Sequence, residues 1–159
     1  MAAPKRYHQS AGILAWRDCG HGVEVLLGHP GGPFWAHKDA GSWTIPKGEF
    51  DTEGESPLEA ARREFAEETG FEVAGEFTDL GSERMSSGKL VYVFALEADY
   101  DASLAVSNLF DLEWPPRSGK IEEFPEVDRA QWFPLAEARP AIMQGQLVFL
   151  DRLIDALAT

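Results

Sequence analysis

The chain has 159 residues, 44% of them hydrophobic and 26% charged, and its 27 acidic against 14 basic side chains give a formal net charge of −13. That size and balance predict one domain spanning 1–159 with its own apolar core, and exclude a disordered or fibrous chain. The acidic excess argues against a partner held through long nucleic-acid backbones, no apolar run is long enough to cross a bilayer, and an amino-terminal MAAPKRYHQS without an apolar signal core, together with a single cysteine, Cys19, predicts a cytoplasmic protein.

In chain order, SAGILAWR (10–17) and GVEVLLGHP (22–30) read as two strands around the turn DCGHG. The segment 29–43, dense in Gly, Pro and aromatic residues, reads as a long loop. Its Phe34 and Trp35, with Trp43 at its end, suit either stacking on a flat base or capping the core, and the sequence leaves both open. Ser56-Pro57-Leu58-Glu59 is a capping box with Pro at the first helical position, and Gly70 followed by Phe71 is a stop, so a helix is predicted between them. Beyond it, 71–80 and 89–100 read as strands, 107–128 as a second irregular stretch, and 130–133 as a short strand. Two helices, 135–144 and 146–158, split near Gly145, complete the chain. Interleaved strands and helices without a repeat or a linker predict a layered α/β domain with a mixed sheet.

The central helix holds an electrostatic anomaly. At about 100° per residue, Glu64, Glu67 and Glu68 fall within an arc of roughly 100°, with small Ala60 in the same arc as room for an approaching group. Leu58, Ala61 and Phe65 form the adjacent apolar stripe that would anchor the helix. Carboxylates 5–6 Å apart repel by about 3 kcal/mol per pair at an effective dielectric near 20. Arg63 lies on the flank and can reach Glu67 or Glu55, but one arginine does not neutralise four carboxylates. A solvated acidic face is one reading of such a stretch. The other is a divalent cation, and an all-oxygen donor set without His or Cys suits Mg²⁺, with Mn²⁺ as a substitute, rather than zinc.

The full arrangement of Gly48, Glu55, Arg63-Glu64, Phe65, Glu67-Glu68, Gly70 and Phe71 closely resembles the Nudix box, here approximately 48–71, the signature of the Nudix hydrolase superfamily. WTIPKGEF (43–50) resembles the lead-in of Nudix enzymes that cleave dinucleoside polyphosphates or diphosphoinositol phosphates, and 123–138 is similar to Nudix carboxy-terminal halves. GGPFWAHKDAGSWTIPKGEF (31–50) together with EWPPRSGKIEEFPEVD (113–128) resembles a bacterial branch described only as predicted NTP pyrophosphohydrolases. One feature departs from the pattern: six residues, not five, separate Gly48 from Glu55, and a loop absorbs such an insertion more readily than a helix.

The resemblance implies an α/β/α sandwich and a Mg²⁺-dependent hydrolase of a phosphoanhydride bond. Its favoured substrate class is a nucleoside diphosphate linked to a second moiety, foremost a dinucleoside polyphosphate. The alternatives are (deoxy)nucleoside triphosphate pyrophosphohydrolysis, diphosphoinositol cleavage, and a nucleotide-sensing module without catalysis; RNA decapping is disfavoured by the charge. Glu67 and Glu68 are the implied metal ligands, and Glu64 is a ligand or the base. A carbonyl of Lys47 or Gly48 is a further ligand, and Glu113, Glu122, Glu123 and Glu126 are candidates for one more carboxylate. Arg63 and Glu55 are read as support, with Arg63 orienting carboxylates. Lys47, Trp43, Trp35, Arg117 and Lys120 are candidate substrate contacts, Lys89 a weaker one. His8, His21, His29 and His37 lack metal-ligand spacing and read as surface or loop residues, His37 a remote substrate contact. The partner is a small nucleotide or polyphosphate, and the assembly a monomer or homodimer.

Overall fold

A computed structural model describes residues 9–158. The amino-terminal reading over 1–8, including His8, lies outside them.

The first two strands are β1 (Gln9–Asp18) and β2 (Val23–Pro30), joined as the DCGHG turn predicts. They pair antiparallel over Trp16–Asp18 and Val23–Val25. Toward its start β1 instead meets β3 (Lys47–Glu49), with Ala11 opposite Gly48. On its other side β1 runs parallel to β5 (Leu90–Glu97), which is antiparallel to β4 (Phe77–Arg84). Strand β8 (Val127–Pro134) closes the far edge against β2, giving the mixed order β4-β5-β1-β2-β8 with β3 beside β1.

Helices cover both faces because the central strand is apolar on both. Along β1, Ala11, Ile13 and Ala15 pack toward α1 (Pro57–Thr69), with its Ala60, Ala61 and Phe65. Leu14, of opposite parity, packs into the second cluster with α2 (Leu135–Ala141) and α3 (Leu147–Leu157). A period-2 strand apolar at both parities is the pattern of a buried central strand, and the result is the α/β/α sandwich.

Two expectations need correction. Residues 71–76 are not strand: Phe71 leaves the helix to stack on Tyr100 at 4.6 Å, Val73 is buried, and the strand starts at Phe77. The stretch 107–128 is not irregular but holds an antiparallel hairpin, β6 (Leu109–Glu113) and β7 (Ile121–Pro125). Its alternation is masked by acidic residues on the exposed face, while Phe110 and Phe124 face each other at 6.1 Å.

Candidate active site

Helix α1 is delivered as the capping box requires: Glu59 N–H donates to Ser56 Oγ at 3.2 Å and Ser56 N–H to Glu59 Oε1 at 3.0 Å. Gly70 ends it in the left-handed region at φ 75°. The longer connection from Gly48 is absorbed in a turn where Gly54 and Glu55 N–H both donate to the Asp51 carbonyl, at 3.0 Å each. Phe50 is buried ahead of that turn and Glu55 emerges behind it facing Arg63.

The Arg63 guanidinium organises the acidic cluster. It grips Glu55 with two parallel bonds, Nη2 to Oε1 at 2.8 Å and Nε to Oε2 at 2.9 Å. Its Nη1 donates to Glu64 Oε1 at 2.8 Å and to Glu67 Oε1 at 3.3 Å. The bond from Arg63 holds the Glu55 carboxyl below the usual carboxylate range, and Glu55 in turn keeps the guanidinium firmly charged.

The glutamates occupy a gradient of burial. Glu67 is exposed, the Glu64 side chain is 13% exposed, and Glu68 is buried. Glu64 lies over Gly48 so closely that any Cβ there would collide with its carboxylate. Burial pushes the Glu64 carboxyl up despite Arg63, and pushes Glu68 to about 8, helped by the neighbouring Glu64 charge and opposed by Lys47. The Lys47 ammonium is itself lowered by burial and by Lys89, which pairs with Glu49 at 2.7 Å.

Among the later carboxylates the structure selects one. Glu126, between β7 and β8, is raised by partial burial and by the Glu67 charge, and its own charge is felt at Glu64 and Glu68. It is fixed there because Asn108 N–H donates to the Glu67 carbonyl at 2.7 Å and Glu126 N–H to the Asn108 carbonyl at 2.9 Å. Glu122 and Glu123 are exposed on β7, and Glu113 accepts the Arg117 N–H at 2.7 Å at the hairpin tip. Nothing in the spacing singles out Glu126; a β-sheet edge carries it to the helix.

Other expectations are redistributed. Ala60 leaves no open room beside the carboxylates, because the core containing Phe50 and Phe65 fills the space around it. Trp43 is core: 2% exposed, its Nε1–H donates to Asp39 Oδ1 at 2.7 Å, so its ring cannot stack on a ligand. Trp35 is half-buried in the loop with Lys38 Nζ 4.8 Å above its ring. Phe34 is exposed and meets Trp114 of the hairpin edge-on at 5.3 Å. Arg117 and Lys120 stand exposed in the β6–β7 turn, a five-residue strand or about 16 Å from the hairpin base. His29, read as a surface or loop residue, is fully buried.

The donor set suits a hard divalent cation: carboxylate oxygens from Glu64, Glu67, Glu68 and Glu126, three of them with proton affinity raised chiefly by burial and further by neighbouring carboxylates. Among the described residues no three such side chains already converge on one point at metal-binding distance. Glu64 and Glu67 are turned to Arg63 instead, as mutual repulsion dictates when Arg63 is the cation at hand.

The α/β/α sandwich sets the carboxylate-rich helix α1 against the glycine-bearing strand β3. The NUDIX domain family model matches residues 6–153, and the chain belongs to that family. It is a hydrolase of phosphate-containing substrates. An uncharacterized 17.7 kDa protein of Enterobacteria phage T4 is 29% identical over 129 residues, 77% of this chain and 83% of that protein. The NUDIX domain of Shewanella oneidensis NrtR, solved with ADP-ribose, superposes with a TM-score of 0.67 at 17% identity, covering 96% of this chain and 90% of that one. A C. elegans Ap4A hydrolase, solved as a binary complex, gives 0.63 at 21% identity, covering 94% and 98%. At such identities the superpositions describe the fold. No helix among the described residues is long and apolar enough to cross a membrane.

Proposed function

We propose that the protein is a Mg²⁺-dependent hydrolase of a phosphoanhydride bond in a nucleoside diphosphate linked to a second moiety, with dinucleoside polyphosphates the favoured class. The observation that carries this reading is the electrostatic coupling of Glu64, Glu67, Glu68 and Glu126, with Glu64 resting on Gly48 and Arg63 bridging Glu64 and Glu67 to Glu55. Three carboxylates with raised proton affinity suit a site that gives up protons when it takes a cation.

Glu64, Glu67 and Glu68, with the carbonyl beside Gly48, would hold Mg²⁺. Once bound, the ion neutralises phosphate oxygens and acidifies a coordinated water. Glu126 is the proton acceptor in this reading: it comes from outside the helix, is partly exposed, and burial together with the Glu67 charge raises its proton affinity. Arg63 keeps Glu64 and Glu67 oriented, and Lys47 supplies positive charge to the phosphate chain from a largely buried position. The Phe34–Trp114 pair would offer flat apolar surface to a base, with the Trp35 ring beside Phe34 in sequence and under Lys38 Nζ. The Ap4A hydrolase likeness supports the dinucleotide class, and the ADP-ribose bound by the NrtR domain supports the wider class of linked nucleoside diphosphates.

The test is to incubate the protein with Mg²⁺ and a panel of dinucleoside polyphosphates, nucleoside triphosphates, ADP-ribose and diphosphoinositol phosphates, identifying products by chromatography. Dinucleoside polyphosphates should give the highest kcat/KM, and Glu67→Gln and Glu126→Gln should each lower kcat by about 100-fold or more. Nucleotide binding without turnover of any member would instead assign a sensor.

A further inference from the structure

His29, at the end of β2, makes contacts that its place in the sequence does not announce. Its ring is fully buried. Nδ1 faces the Asp128 carboxylate at 3.0 and 3.1 Å, and Nε2 faces the Lys38 carbonyl at 2.6 Å. Both face it with oxygens, the Asp128 carboxylate being partly exposed and 3.5 Å from Arg129 Nη1. The ring bridges the two through its two nitrogens.

Those two bonds join two pieces of backbone that matter elsewhere. Asp128 is the extra residue of a β-bulge: His29 pairs with Arg129 and Pro30 with Val127, so β8 spends two steps where β2 spends one. Such a bulge re-aims the side chains around it, and it lies two residues beyond Glu126. Lys38 lies at the far end of the turn that presents Phe34 and Trp35. The loop's root is tied to the same place, since Gly31 N–H donates to the Glu126 carbonyl at 2.9 Å. Gly31 also approaches Pro125 too closely for any side chain. His29 thus closes a bracket whose one arm is the aromatic loop and whose other arm is the strand that places Glu126.

We propose that His29 is a positioning residue that, by bridging Asp128 and the Lys38 carbonyl, fixes the aromatic loop at a set distance from Glu126, and so governs recognition of the base-bearing part of the substrate rather than the hydrolytic step. The consequence for turnover rests on the functional reading above; the consequence for the loop does not.

Two variants test this, His29→Gln and the milder Asp128→Asn, each by steady-state kinetics on the best dinucleotide of the panel and by backbone amide hydrogen exchange. KM should rise by about tenfold with kcat within about threefold of wild type, because the helical carboxylates are untouched and Glu126 keeps its own backbone bonds to Asn108 and Gly31. Amides of residues 33–39 should exchange faster while those of β1 and β5 keep their protection. An unchanged KM, a loss confined to kcat, or a loop whose exchange is unaltered in both variants would overturn the proposal. A variant that loses protection throughout its strands would assign His29 to global stability instead, and so also overturn it. If the wild-type protein turned over no member of the panel, the functional reading would fail, and the exchange measurement would still decide whether His29 holds the loop.

Discussion

Glu68 bears the electrostatic burden of the site most directly. Its folded-state value of about 8 lies above the ordinary 4.5, so the folded protein keeps a proton that the unfolded chain releases. Metal-free stability due to this group is therefore full below the unfolded value, falls as pH rises toward 8, and is flat beyond. Glu68→Gln removes that dependence: in chelator, the variant's melting temperature should overtake the wild type's as pH approaches 8, and curves that stay parallel would refute a buried uncompensated charge. Arg63 acts in the opposite sense, as the charge that lets Glu55, Glu64 and Glu67 share a helix edge. Arg63→Ala should weaken Mg²⁺ binding by about 10- to 100-fold in calorimetry and lower stability by about 1–3 kcal/mol. Both residues are legible in the sequence because helical periodicity alone brings them together. Glu126 is one of four equivalent candidates there, since its role depends on a strand edge reaching the helix from more than fifty residues away.

Among the elements, the short strand β3 decides the geometry that α1 cannot decide alone. Gly48 has no need of a left-handed backbone; its requirement is steric, set by the Glu64 carboxylate resting where a Cβ would be. Gly48→Ala should therefore leave the fold intact, with circular dichroism and melting close to wild type, while displacing Glu64 and cutting kcat by about tenfold or more. A variant with normal kcat would show that Glu64 is free to stand elsewhere during turnover. The helix itself is predictable from its caps, because Ser56, Pro57, Glu59 and Gly70 satisfy its terminal groups locally. The β6–β7 hairpin is not: its strands are half-exposed and acidic, and what fixes them is contact with the glycine pair Gly31-Gly32 and with Phe34, both distant in sequence.

For the molecule as a whole, the acidic excess and the acidic site make the proposed cation a link between stability and activity. Under the proposed function Mg²⁺ would bind the folded site and not the dispersed carboxylates of an unfolded chain, so it should raise the melting temperature with the logarithm of its concentration. The rise should be larger near pH 8 than near about pH 5, because protons compete for the same carboxylates. A melting temperature indifferent to Mg²⁺ at both values would remove the cation from the site. The sequence by itself determined the layered α/β class, the bounds of α1 and the crowding of Glu64, Glu67 and Glu68, since each follows from period, caps and spacing within a short stretch of chain. Only the tertiary structure decided that Trp43 is core and not a stacking surface, that Glu126 joins the cluster, and that His29 is a buried bridge. Those outcomes depend on which strands lie side by side and which loop crosses them, and no local pattern of residue types encodes a contact between positions 29 and 128.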